Sequence, residues 1–221
     1  PFIGFGQVST FPWIHDFENA VGLEQDQNDD GDWWLMQGPT SSFNTGPSGD
    51  HTTGSGIYYY VESSNPNYPN KIFTSYTPVF DVSATPGKVL SFWYHMYGDA
   101  MGDLEIAVGD YSIPGTGYTV LNTISGNQGD QWFFAYYPIP PNVVDSFRII
   151  FKATTGTLYT SDICIDDIMV SDPFNVVFGC MDSTATNYNP NATHTNDSCT
   201  YPPCGGFINS NAYQMCWGDQ A

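Results

Sequence analysis

The sequence predicts an all-β protein, a two-sheet sandwich of short strands with a small disulfide-stapled C-terminal appendage. Three observations predict it. Of 23 acidic residues only four are Glu (Glu18, Glu24, Glu62 and Glu105), against three Lys and one Arg, so the charged residues that helices use best are scarce. The chain carries 22 Gly and 16 Pro, which punctuate runs rich in Tyr, Thr, Val and Phe. No segment sustains a 3.6-residue apolar period with caps at its ends.

The elements follow in order. Residues 1–12 read as a lead-in and 13–172 as the sandwich. Within the sandwich, strands are expected at 56–62, 71–80, 89–97, 103–108, 118–124, 132–139, 147–153 and 161–170, separated by Gly, Pro, Asn and Asp clusters. Residues 173–203 read as a Cys-bounded linker, and 204–221 as the start of a following segment of a longer protein. Alternation assigns faces. Ile57, Tyr59 and Val61 share one side of their strand, and Tyr58 and Tyr60 the other. Leu90, Phe92, Tyr94 and Met96 form a core set, which leaves Trp93, His95 and Tyr97 on the second face. If that face is open, Tyr58, Tyr60, Trp93 and Tyr97 make an aromatic platform. If another segment covers it, they are core.

The formal charge of −19 excludes several classes of partner. Four cations cannot neutralise a phosphate backbone, so nucleic acid is not an expected partner. The same shortage argues against docking on an anionic membrane, and no apolar run is long enough for a spanning helix. Disorder is disfavoured by 15 Phe, 15 Tyr and 6 Trp. The excess Asp has two readings, a solvated salt-tolerant surface or calcium ligation.

Five cysteines fall late, at Cys164, Cys180, Cys199, Cys204 and Cys216. The segment from Cys180 to Cys199 is too poor in apolar residues to hold a core. A disulfide closing that loop would contribute ~3 kcal/mol in the loop-entropy account. Cys204 and Cys216 make a possible second bridge, and Cys164 is expected to be an inert buried thiol. No Cys-x-x-Cys is present, which argues against zinc and thioredoxin-like chemistry. The pattern favours an oxidising setting outside the cytoplasm.

Several motifs occur in a fixed order. They are His15-Asp16-Phe17-Glu18, Asp29-Asp30-Gly31-Asp32-Trp33, Gly38-Pro39-Thr40 and the stretch from Asn44 through Gly49-Asp50-His51-Thr52 to Gly56. Tyr60-Val61-Glu62-Ser63-Ser64, Leu90 through Gly98, Gly126 through Trp132 and Asp162-Ile163-Cys164-Ile165-Asp166-Asp167-Ile168 follow. In this order they resemble a MAM domain, the module named after meprin, a neuronal surface antigen and receptor tyrosine phosphatase mu. The resemblance covers residues 13–172. It implies a jelly-roll sandwich that works in adhesion or ligand binding outside the cell and has no catalysis of its own. Animal members usually place cysteines around the first motif, where this chain has none, so a bacterial version is expected. Residues 179–201 resemble a short Cys-bounded repeat of secreted bacterial surface proteins.

Calcium is the expected cofactor, because it takes six to eight hard oxygen ligands. The resemblance implies Glu18, Asp50 and Asp167 as ligands, with Asp166 as the alternative. Adjacent strand residues point to opposite faces, so only one of Asp166 and Asp167 should reach the ion unless a bulge intervenes. The stretch Asp26-x-Asn28-x-Asp30-Gly31-Asp32 matches the first half of an EF-hand loop, but its twelfth position is Gln37 and no helix flanks it. It reads better as an acidic turn. Metalloprotease, serine-hydrolase and phosphate-loop signatures are lacking, and no enzyme activity is expected.

The reading is therefore a calcium-stabilised, non-catalytic adhesion module of a large secreted or cell-surface protein. Its partners are other domains of that protein and a surface protein or polysaccharide. Two alternatives remain, a carbohydrate-binding module using the aromatic platform and a spacer domain.

Overall fold

A computed structural model describes residues 6–110, 117–174, 177–193 and 199–201. The chain divides into two compact units, 1–173 and 174–221. Twelve strands make up the first unit, and no helix occurs among the described residues. They are β1 (Trp13–His15), β2 (Glu24–Gln25), β3 (Trp34–Gln37), β4 (Ile57–Val61), β5 (Ile72–Tyr76) and β6 (Phe80–Asp81). β7 (Val89–Met96), β8 (Asp103–Asp110), β9 (Tyr118–Ser125), β10 (Phe133–Pro138), β11 (Ser146–Thr154) and β12 (Ile163–Ser171) complete the set.

The strands form two six-stranded sheets. One has the order β10-β7-β12-β4-β3, with β1 also paired to β12; the other has the order β2-β5-β11-β8-β9, with β6 also paired to β11. Every pairing between these strands is antiparallel. The two-sheet fold expected from the sequence is therefore present, and its long strands lie where alternation puts them. Three short strands, β1 to β3, went unread. Each has four residues or fewer, too short to show a period.

The core lies between the sheets. Leu90, Phe92 and Met96 of β7 meet Phe147, Ile149 and Phe151 of β11, all fully buried. Phe92 and Phe151 pack edge to face with centroids 5.1 Å apart. Tyr59 is a second tie between the layers. Its ring stacks on Phe17 and Trp33, with centroids 5.0 and 5.3 Å away. Its hydroxyl lies 3.1 Å from Ser75 Oγ on β5, in the other sheet, and also meets the Gln25 amide.

β12 is irregular at its centre. Ile163 and Ile165 point into the core, and so do Ile168 and Val170, so the inward positions change from odd to even between them. The ladder to β7 shifts register between Asp166 and Met169, and Asp167 adopts a positive φ of 48°. This is a β-bulge: one extra residue turns both Asp166 and Asp167 away from the core. Along its other edge, β12 pairs with β4 through Ile163–Ile165 and with β1 through Ile168–Val170, leaving a gap at the bulge.

In the second unit, Cys180 and Cys199 form the expected disulfide, and Cys164 in the first unit is a buried free thiol. Cys204 and Cys216 lie outside the described residues.

The role of Tyr59 as a tie sets an expectation for stability. Tyr59→Phe should lose about 1 kcal/mol through the hydroxyl alone. Tyr59→Ala should lose about 3–5 kcal/mol by opening a cavity at the layer interface. Urea denaturation of the two variants measures both.

Candidate functional site

The predicted carboxylates all accept hydrogen bonds from residues 51–57, beside the gap in the ladder of β12. Glu18 follows β1, Asp50 sits on the loop that leads into β4, and Asp166 and Asp167 form the bulge. Glu18 Oε1 accepts from Ile57 N at 2.8 Å, and Asp50 Oδ1 accepts from Gly56 N at 2.5 Å. The two carboxylates thus cap the first amides of β4. Thr53 N and Thr53 Oγ1 donate further to Asp50, at 2.8 and 3.0 Å. Gly56 is required at this point. A Cβ there would stand 2.0 Å from Glu18 Oε1 and 3.0 Å from Asp50 Cγ.

The bulge holds the same loop from the other side. Asp166 Oδ2 accepts from His51 N at 3.0 Å, and Asp166 Oδ1 from Asp167 N at 2.8 Å. Asp167 Oδ2 accepts from His51 Nδ1 and Thr52 Oγ1, each at 2.6 Å. Both adjacent aspartates therefore serve the site, which a regular strand would not allow.

Electrostatics separates these carboxyls. Burial pushes the Asp166 carboxyl up to about 7, and the charges of Asp167 and Asp50 add to the effect. Burial acts on Asp50 in the same sense, but hydrogen bonds from Thr53 and Gly56 outweigh it and hold that carboxyl below its usual range. The set is all oxygen, hard and anionic, with one member disfavoured as a bare charge. These features fit a cation such as calcium. Among the described residues no three His, Cys, Asp or Glu side chains already gather as metal ligands, so backbone carbonyls or water would complete the shell.

The aromatic platform does not form as an open face. Tyr58 is fully buried and Tyr60 nearly so, which removes both as stacking surfaces. Met36, Trp132 and the loop of residues 38–56 cover them. Tyr58 Oη donates to Gly38 O at 2.8 Å, and Trp132 Nε1 donates to Gly49 O at 3.2 Å. Trp132 packs edge-on to Tyr58 and to His95. Trp34, on the same face opposite Tyr60, stays exposed. Trp93 is half-buried, with His51 stacked over it at a centroid distance of 3.7 Å. Tyr97 lines a surface cleft. Alternation identified the faces correctly, but no periodicity shows which loop folds back over one of them. His51 was missed as a site residue. Its place in the Gly-Asp-His-Thr motif beside Asp50 was the available signal.

The EF-hand-like turn has another use. Asp29 Oδ2 and Asp30 Oδ2 take the Thr74 and Ile72 amides of β5, Asp26 accepts from Tyr76 Oη, and Asp30 pairs with Lys71. Its carboxylates tie the turn to β5.

Comparison with known proteins agrees with the two-sheet fold. Residues 15–174 match the model of the MAM domain, meprin/A5/mu. The chicken MAM domain-containing glycosylphosphatidylinositol anchor protein 1 is 36% identical over 156 residues, which cover 68% of this chain and 16% of that protein. Neuropilin-1a of zebrafish is 30% identical over 167 residues, covering 75% of this chain and 17% of the relative. The K1 cleaved adhesin domain of Lys-gingipain from Porphyromonas gingivalis shares the fold, with a TM-score of 0.52 at 14% identity, covering 75% of this chain and all of that one. The chain spans about a sixth of the length of these two curated relatives. The fold and its carboxylate-pinned loop define a jelly-roll module. The chain belongs to the MAM domain family.

A pH dependence follows from Asp166. Its folded value of about 7 lies above the ordinary carboxyl value of 3.8, so the folded state retains a proton that the unfolded state releases. That penalty on folding is absent below about pH 4, grows as pH rises and levels off above about pH 7. In chelator-treated protein, Asp166→Asn should therefore become progressively more stable relative to the parent from pH 4 to pH 7. Urea midpoints of both proteins across that range measure the difference, which isolates Asp166 from groups common to the two.

Proposed function

We propose that the protein is a non-catalytic extracellular adhesion module whose 50–57 loop is held by a structural calcium ion. The observation that carries the adhesion reading is the match of residues 15–174 to MAM domains. On the outer face of the first sheet the 38–56 loop packs over Tyr58, while Trp34 stays exposed. The disulfide of the second unit supports an oxidising, extracellular setting. Bacterial origin rests on the missing early cysteines and on the resemblance of residues 179–201 to a repeat of bacterial surface proteins, whereas the curated relatives named above are vertebrate proteins.

Glu18, Asp50, Asp166 and Asp167 are the proposed ligand carboxylates, with Asp166 ionised when the cation is bound. Calcium supplies positive charge among carboxylates that repel one another, and so stiffens the junction of β1, β4 and β12. The carboxylates also have a role without it, because each already accepts hydrogen bonds from the loop or from the start of β4. A carboxylate oxygen has a second lone pair for a cation while it accepts an N–H.

Calcium at about a hundredfold its Kd should contribute about 2.7 kcal/mol to the folded state. For a domain of this size that is a rise in Tm of roughly 5–10 °C. Glu18→Gln and Asp50→Asn should lose most of the rise, and Gly56→Ala should lose it through the clash with Glu18. Equal melting curves with calcium and with chelator would remove the ion from the account. Beads coated with the chain, mixed alone and with cells, test adhesion. Failure to aggregate or attach under any ionic condition sinks the adhesion reading.

A further inference from the structure

The segment that packs over Tyr58 also builds a cleft. Its near half, residues 39–48, forms with Tyr97 and Asp130 an open cleft of about 440 Å3, within the size range of small-molecule sites. The loop is closed on itself and fixed to the sandwich. Thr40 Oγ1 donates to Thr45 O at 2.9 Å, Asp162 N donates to Thr45 Oγ1 at 2.9 Å, and Ser42 and Ser64 hydroxyls meet at 3.1 Å. Gly46 has a φ of 67° and packs against Thr40 so closely that a Cβ would stand 2.4 Å from its methyl. These contacts hold the walls in place before any ligand arrives.

The lining has a mixed character. Phe43 projects from the loop with 85% of its surface in water, an exposure that intra-domain packing does not explain. Tyr97 brings a second, half-buried ring. Around them stand Ser42, the exposed Asn44 and Asp130, whose carboxylate lies 3.2 Å from His95 Nε2. Behind the wall, two buried side chains keep polar atoms without a hydrogen-bond partner, Asp162 Oδ2 and His95 Nδ1. Asp162 is tied to wall residue Thr45, and His95 to wall residue Asp130. Rings beside a ring of hydroxyl, amide and carboxylate groups suit a molecule with an apolar face and a polar edge.

We propose that this cleft binds a neutral saccharide, with Phe43 and Tyr97 against the C–H face of a sugar ring and Ser42, Asn44 and Asp130 on its hydroxyls. The proposal rests on the adhesion reading and gives it a class of ligand. It moves the sugar from the sheet face, where Tyr58 and Tyr60 are buried, to the loop. Acidic sugars and phosphorylated ligands are excluded by charge, since Asp130 lies in the wall, no cation lines the cleft and the chain carries −19. A cationic peptide would pair with Asp130 but leave the hydroxyl wall unused.

The test is an array of neutral mono- to tetrasaccharides built on glucose, galactose, mannose and N-acetylhexosamines, probed with the full chain. Any glycan captured is titrated by NMR against the parent, Phe43→Ala and Phe43→Tyr. Phe43 is so exposed that its substitution leaves the fold intact. The expected result is binding that weakens about tenfold or more in Phe43→Ala and is restored in Phe43→Tyr, with shifts at Tyr97 and Asn44. Three results overturn the proposal: no neutral glycan binding at millimolar concentration, binding unchanged by Phe43→Ala, or capture of a Lys- or Arg-rich peptide in place of sugars. Bead aggregation of the same preparation separates the two readings. Aggregation without glycan binding leaves adhesion standing and removes the saccharide, whereas loss of both removes the adhesion reading as well.

Discussion

The rest of the structure depends on one extra residue in the central strand of the first sheet. A regular strand sends alternate side chains to opposite faces, so of two adjacent aspartates one would enter the core. An unpaired buried carboxylate is among the costliest groups a core can hold. The bulge at Asp166 and Asp167 removes that conflict by letting Ile165 and Ile168 both point inward. It also interrupts the edge of β12, so that β4 and β1 divide that edge between them. The acids at the ends of those two segments then cap amides that a continuous ladder would have satisfied. Bulge, gap and carboxylate cluster are one feature described from three sides.

Much of this was legible in the residues, and the illegible part has physical causes. Alternation found the long strands because five to nine residues with one buried face leave a clear period of two. It missed β1 to β3 because two to four residues carry no period. The bulge itself was readable in principle. The inward set runs Ile163 and Ile165, then Ile168 and Val170, and only an inserted residue reconciles the two parities. What alternation cannot show is coverage. Tyr58 and Tyr60 were correctly assigned to the second face, but an aromatic face reads the same whether water or a loop lies on it. The cover comes from residues 38–56, rich in Gly, Ser and Thr, whose composition signals only a loop. The ligand carboxylates entered through family resemblance, since no spacing links Glu18 to Asp166.

The charge reads differently once the cations are placed. Lys71, Lys88, Arg148 and Lys152 each pair with a carboxylate: Asp30, Asp172, Glu24 and Glu105 respectively. Lys88 is almost wholly buried, with its ammonium also lying over the Phe11 ring. Arg148 is buried apart from the end that meets Glu24, and it bonds the Thr77 carbonyl. Buried ion pairs add little net stability, but losing one partner strands a charge and is costly. The chain's few cations are thus committed to particular joints of the fold, and the remaining acids define its exterior. Such a surface repels its own kind and anionic polymers at low salt, and does so less where salt screens it.

One continuous segment, residues 38–56, packs over part of the outer sheet face, and both of its ends are held from outside its own sequence. At its far end Asp166 and Asp167 of β12 accept from His51, His51 stacks on Trp93 of β7, and Trp132 donates to Gly49 O. At its near end, beside Phe43, Asp162 N donates to Thr45 Oγ1 just ahead of β12. The acidic cluster and the aromatic rim, which look unrelated in sequence, therefore lie on one segment fastened at both ends by the same strand.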